Sequence, residues 1–158
     1  MTIGEPVPDF AFVDETGTAV TAMAFRNTIT VVTFATPATP QGLPYLGRID
    51  DTFDRLGPDA AGFTRLLVEL PGGVAPARPR PGWRHLQGDS AASLQLAERF
   101  GVVRWRGSGA MPGQNFVVGV VGPEGKLRAR FGGLDTWTAM ELLNALALAA
   151  SLGGGPAR

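Results

Sequence analysis

The sequence contains no cysteine. That absence removes disulfides, thiolate-ligated zinc, iron–sulfur clusters and every mechanism in which a thiolate attacks, peroxide reduction and disulfide exchange included. Histidine is nearly as scarce: the single residue His85 cannot build a His-rich metal site. No stretch approaches the ~18 continuous apolar residues that a bilayer-spanning helix needs. An excess of one charge is also missing, because 14 basic and 14 acidic residues cancel. No long-range field therefore recruits nucleic acid or an anionic membrane, and no nucleic-acid signature is present. The one local bias is RPRPGWRH (78–85), which reads as a solvated loop whose arginine stems cover apolar surface. The opening MTIGEPVPDF lacks the basic and apolar regions of a signal peptide. The expectation is a cytoplasmic protein, with a leader removed upstream of this numbering as the alternative.

What is present suits a packed core: 158 residues, of which 44% are hydrophobic and 18% charged. They are expected to form one domain over 1–152, followed by a disordered tail, GGGPAR (153–158). PDFAFVDETGTAV (8–20) predicts a hairpin turning at Gly17. ITVVTFA (29–35) is β-branched and apolar without alternation, as a strand buried on both faces must be, and is expected at the centre of a sheet. Leu46, Ile49, Phe53 and Leu56 recur at helical spacing in 45–57, and Gly57-Pro58 stops that helix. GFTRLLVEL (62–70) predicts a second central strand, followed by a Pro/Gly-rich excursion over 71–82. Residues 88–102 predict a helix capped at Asp89 or Ser90, with Leu94, Ala97 and Phe100 inward. RWRGSGAMPGQ (104–114) reads as a glycine-rich loop. Strands 115–121 and 126–131 flank a turn at 122–125. A last helix is expected from about Asp135, with a capping box from Thr138 to Glu141 and Met140, Leu143, Leu146 and Ala147 on its inner stripe. Met23 is expected in the core with Met140. The order is a hairpin, then β-α-β-α, then β-β-α. It predicts an α/β, thioredoxin-like fold: a central mixed sheet with helices on both faces and an N-terminal β-hairpin.

Five segments, in order, resemble the Sco proteins (copper chaperones of cytochrome oxidase assembly) and the wider AhpC-TSA redoxin group that contains the peroxiredoxins. IGEPVPDFAFVDETG is similar to that group's G-x-x-x-P-D-F-x-L-x-D-x-x-G, and AFRNTITVVTF to its F-x-G-K-x-x-x-V-x-F. GWRHLQGD resembles W-x-x-L-x-G-D, LAERFGV resembles A-x-x-F-G-V, and VVGPEGKLRARFGG resembles I-D-P-x-G-x-x-x-x-x-x-G. The resemblance implies a Sco-type C-P-x-x-C-P loop after strand 29–35. With Phe34, Pro40 and Pro44 as anchors, its cysteine positions fall on Thr39 and Leu43, its histidine on Gln114, and its V-D-P acid on Leu70. A peroxiredoxin register would place the reactive cysteine at or near Gly42. None of these residues holds Cu(I). The chain is thus similar to these families in a degenerate form without either cysteine or the ligand histidine.

The leading expectation is therefore a non-redox binding, accessory or assembly module, a pseudoenzyme that meets a protein partner or small-molecule ligand through the former active-site loops. The candidate contact residues are Thr36, Thr39, Gln41, Leu43, Tyr45, Trp105, Met111, Gln114 and Asn115. Gly/Pro loops carried on a rigid sheet are where recognition concentrates, and mixed aromatic and Met surface suits it. No catalytic residue, cofactor or metal is assigned. The alternative is thiol-independent chemistry in the same cleft, with an anion at the helix N-terminus, hydrogen bonds from Thr36, Thr39, Gln114 and Asn115, and His85 as base. A residual copper carrier using Met111, Met23 and His85 is a third reading. The four methionines show no cluster to support it.

Overall fold

The run read as a doubly buried strand sits at the middle of the molecule. The computed structural model describes residues 1–36, 42–71, 80–106, 112–133 and 136–152, with the backbone alone described at 42–44, 105–106 and 112–114. In chain order the elements are β1 (Ala11–Val13), β2 (Ala19–Thr21), β3 (Ile29–Ala35), α1 (Gly42–Leu56), β4 (Phe63–Glu69), β5 (Trp83–Leu86), α2 (Ser90–Arg99), β6 (Arg104–Arg106), β7 (Pro112–Gln114), β8 (Val117–Val121), β9 (Leu127–Gly132) and α3 (Ala139–Leu152). Five strands form one sheet in the order β5-β4-β3-β8-β9. The β3–β4 and β4–β5 pairs are parallel, while β3–β8 and β8–β9 are antiparallel.

All seven residues of β3 are buried, and the two-residue period of a strand divides them between two cores. Val32 and Phe34 join Leu66, Val68, Leu86 and Phe100 in the core under α2 and the N-terminal hairpin. Ile29, Val31 and Ala35 join Leu67, Val118 and Val120 in the core under α1 and α3. On α1, Leu46, Ile49 and Phe53 are buried as their spacing requires, although the helix begins at Gly42, three residues before the expected start.

The hairpin β1–β2 pairs antiparallel, apart from the main sheet, and Gly17 takes a φ of 81° in its turn. Asp14 organises that turn. Its Oδ1 accepts from the Thr16 hydroxyl at 2.6 Å and from the Thr16 and Thr18 amides at 2.9 and 3.0 Å, while Arg84 reaches Oδ2 at 3.2 Å. These donors, the Thr16 hydroxyl first, hold the Asp14 carboxyl down at about 2. A depressed carboxyl stabilises the fold above its unfolded value and loses that contribution on acidification, here between about pH 4 and about pH 2. Thermal melts across that window should show Asp14→Asn with a flatter acid limb than the wild type. An unchanged limb would contradict this role.

Several expectations are corrected. The glycine-rich loop at 104–114 contains a two-stranded ribbon, β6 against β7. In α2, Leu96 is fully packed and Leu94 only half-buried. Helix α3 begins at Ala139, and its capping box is made: Glu141 N–H donates to the Thr138 hydroxyl (3.2 Å) and Thr138 N–H to the Glu141 carboxylate (2.8 Å). Its inner stripe is Leu142, Leu146 and Ala149, at i, i+4 and i+7. Met140 is 49% exposed, and Met23 is 70% exposed, so neither is core. The expected tail, 153–158, lies outside the described residues.

Candidate functional site

The register decides which segments meet at the carboxyl end of β3. Parallel pairing of Ala35 with Glu69 brings the ends of β3 and β4 level, and the Leu70 amide continues the ladder onto the Ala35 carbonyl at 2.9 Å. Antiparallel pairing of Thr33 with Val118 sets the start of β8 beside the end of β3. Phe116, Asn115 and the β6–β7 ribbon therefore belong to the same end as Thr36. With α1 starting at Gly42, its N-terminus completes this end of the sheet.

An aromatic cluster packs at this end of the sheet. Tyr45, in the first turns of α1, is only 2% exposed. Its ring lies 5.0 Å from Phe116 and 5.8 Å, edge-on, from Trp137, which in turn packs 5.9 Å from Phe131. The Thr33 hydroxyl sits 2.7 Å from the Val117 carbonyl and 3.2 Å from the Tyr45 hydroxyl. A threonine hydroxyl carries one proton. With that proton on the Val117 carbonyl, the phenol donates to Thr33 in a closed chain. Burial pushes the Tyr45 phenol well above its ordinary value, with the Thr33 hydrogen bond opposing. Tyr45 thus belongs to the core and offers no exposed contact surface, unlike its assignment from sequence.

The other proposed contacts divide clearly. Thr36 is buried at the end of β3. Asn115 is a brace: its Nδ2 donates to the Gly101 carbonyl at 2.9 Å and its Oδ1 accepts from Val103 N–H at 2.5 Å, tying the ribbon to the end of α2. Leu43 lies in the first turn of α1, while Trp105 and Gln114 lie in β6 and β7, all three placed by their backbone. Thr39, Gln41 and Met111 fall outside the described residues. Leu70, at the position of the family acid, is 2% exposed in the core.

Two features escaped the sequence. Arg104, at the start of the ribbon, donates from Nη2 to the Pro71 carbonyl at 2.7 Å and bridges the ribbon to the end of β4. Asp50, on the outward flank of α1, accepts from Arg65 Nη1 (2.7 Å), Arg80 Nε (2.8 Å) and Trp83 Nε1 (2.7 Å). Of the basic bias of 78–85, Arg80 pairs with Asp50 and Arg84 with Asp14, while Arg78 lies outside the described residues. Arginines beside a tryptophan were the available signal, but nothing in the chain told which of many carboxylates they would find.

Neither chemical alternative gains support. His85 is buried in β5 with its Nε2 lone pair already accepting Arg80 N–H at 3.0 Å, so the ring has no free basic nitrogen to offer a substrate. Met23 lines an open cavity with Pro123 and Glu124, beside the turn that precedes β3, at the opposite end of the sheet from Thr36. Among the described residues no group of three or more His, Cys, Asp or Glu is placed to hold a metal ion.

A five-stranded mixed sheet with α1 and α3 on one face, and α2 on the other, leaves one architecture. The fold is thioredoxin-like. No known family profile matches the sequence, and no curated protein matches it. Solved structures do. A putative electron transfer protein from Aquifex aeolicus superposes with a TM-score of 0.77 at 15% identity, over 95% of each chain. Arabidopsis thaliana ScoI with copper bound gives 0.72 at 13% identity, over 94% of this chain and 99% of that one. The thioredoxin domain of a thiol-disulfide oxidoreductase from Bacteroides vulgatus gives 0.62 at 16%, over 94% and 97%. At these identities the likeness is one of fold. The Sco and redoxin arrangement is present over almost the whole chain, without a cysteine anywhere in it.

Proposed function

We propose that this thioredoxin-like domain is a non-redox recognition module, which binds a protein partner through the loop end where its fold relatives carry their chemistry. One observation supports this most: an architecture shared with copper-bound Sco structures is kept over 94% of the chain while every thiol is gone. The resemblance puts Thr39, Leu43 and Gln114 at the ligand positions, and none is a soft donor or an imidazole. The described residues at this end form a braced frame. Tyr45 packs on Phe116 at the start of α1, Asn115 braces the β6–β7 ribbon, and Arg104 joins that ribbon to the end of β4. A rigid frame that carries Gly/Pro-rich connections is an arrangement suited to recognition. Accessory or assembly work follows from that reading, since a module that presents a surface without turnover acts by bringing partners together.

The test is Leu43→Asp. Proteins retained from a lysate of the source organism by the immobilised wild type should be lost from the variant, by roughly 30-fold for a contact worth about 2 kcal/mol. Its melting temperature should stay within a few degrees of the parent. A variant that unfolds places Leu43 in the core and contradicts the reading. So does a folded variant that retains the same proteins.

A further inference from the structure

The chain's only histidine is built into a joint rather than a site. The stretch Arg80–Trp83 forms a turn closed by Trp83 N–H on the Arg80 carbonyl at 3.0 Å, with Gly82 at a φ of 81°. A side chain at Gly82 would meet Arg65 Nη2 at 2.0 Å, so the turn is pressed against the cation that Asp50 holds. Arg80 is fixed twice. Its guanidinium lies on Asp50, and its backbone N–H donates to His85 Nε2 at 3.0 Å.

That second bond dictates the state of the ring. An Nε2 that accepts carries no proton, so the neutral imidazole must be protonated on Nδ1. Nδ1 faces Glu69 Oε1 at 3.5 Å, and Glu69 Oε2 is held by the Gln87 amide at 2.7 Å. The charged groups around His85 are Glu69 from β4, Glu15 from the hairpin turn, whose carboxylate accepts the His85 backbone N–H at 2.9 Å, and Arg80, whose charge Asp50 already engages. A second proton on the ring can only go to Nε2. There it sets two N–H donors face to face and leaves the Arg80 amide without an acceptor. Nδ1 keeps its place opposite Glu69 Oε1, and the His85 backbone keeps its bond to the Glu15 carboxylate. The Arg80 turn is the part that yields.

We propose that His85 is a proton-operated clasp: neutral, it pins the Arg80–Trp83 turn to β5, and protonated, it releases that turn while the sheet stays intact. This does not rest on the recognition reading.

Nuclear magnetic resonance on uniformly ¹⁵N-labelled wild-type protein tests it, because one histidine gives one pair of ring nitrogens. The neutral ring should show a protonated Nδ1 and a bare Nε2. As the ring titrates, protection of the Arg80 amide, corrected for intrinsic exchange, should fall roughly tenfold, while the β3 and β4 amides keep theirs. His85→Gln offers a carbonyl oxygen at a similar reach that does not titrate, and should abolish the pH dependence at Arg80. Should that variant fail to fold, the wild-type measurements decide alone. A neutral ring protonated on Nε2 would overturn the proposal. So would Arg80 protection that ignores the titration, or that is lost only together with the whole sheet.

Discussion

Tyr45→Ala is expected to destabilise the fold by about 3–5 kcal/mol, the range for deleting a large ring from a packed interior. The ring packs on Phe116 and edge-on against Trp137, so its removal opens a cavity that neither neighbour fills by itself. Tyr45→Phe should cost only about 1 kcal/mol, because the Thr33 hydroxyl keeps its bond to the Val117 carbonyl. Ionisation gives an independent check. This is the only tyrosine in the chain, so phenolate absorbance reports on Tyr45 alone. Its phenol is raised by burial, whereas an unfolded phenol ionises near ~10. Above that value the unfolded chain binds fewer protons than the folded one, so stability falls as pH rises. The wild type should remain un-ionised past ~10 and then show phenolate only as it unfolds, whereas Tyr45→Phe should lack that alkaline loss. A phenolate signal at ordinary phenol pH from folded protein would show the ring to be exposed.

Asp50→Ala should cost about 2–4 kcal/mol, because one carboxylate serves three donors and its loss strands all of them. The side chains of Arg65, Arg80 and Asp50 are 18%, 28% and 24% exposed, so water replaces the lost partner poorly. Arg65 also lies over the Phe53 ring at 4.5 Å, where it covers the lower part of α1. The network therefore ties α1 to β4 and to the start of β5. Chemical denaturation should show a reduced midpoint with an unchanged slope. Asp50→Asn, which keeps one acceptor oxygen for Trp83 Nε1, should recover part of the loss. Equal stability of Asp50→Ala and wild type would mean that these are surface pairs of little weight.

The parts of the fold that were legible are those where one physical requirement dominates. A seven-residue β-branched run has one comfortable place in a mixed sheet, and Ile29–Ala35 takes it. Gly17 and the Thr138–Glu141 box are local chemistry, decided within a few residues. The phase of α3 was not legible, since Ala, Leu and Met fill nearly every position from Ala139 to Leu152 and several stripes look equally apolar. Packing against α1 and the sheet chose Leu142, Leu146 and Ala149. The site divided along the same line. That Thr36, the first turn of α1, the β6–β7 ribbon and Asn115 belong to one end of the sheet follows from strand order. Whether an aromatic in such a loop faces solvent or core depends on what arrives from elsewhere in the chain. Phe116 and Trp137 come from distant connections, and they take Tyr45 inward. The Arg–Asp50 network was invisible for a related reason, because a helical aspartate and a turn arginine thirty positions apart carry no local signature.

The most direct measurement of the central claim is hydrogen exchange on the wild-type protein, with and without the proteins that it retains and that Leu43→Asp does not. Added protection should appear in the first turns of α1, in the β6–β7 ribbon and at Asn115, and should leave β9 and the outer face of α3 unchanged. Protection confined to β9, α3 or the N-terminal hairpin would place the partner elsewhere and contradict the account.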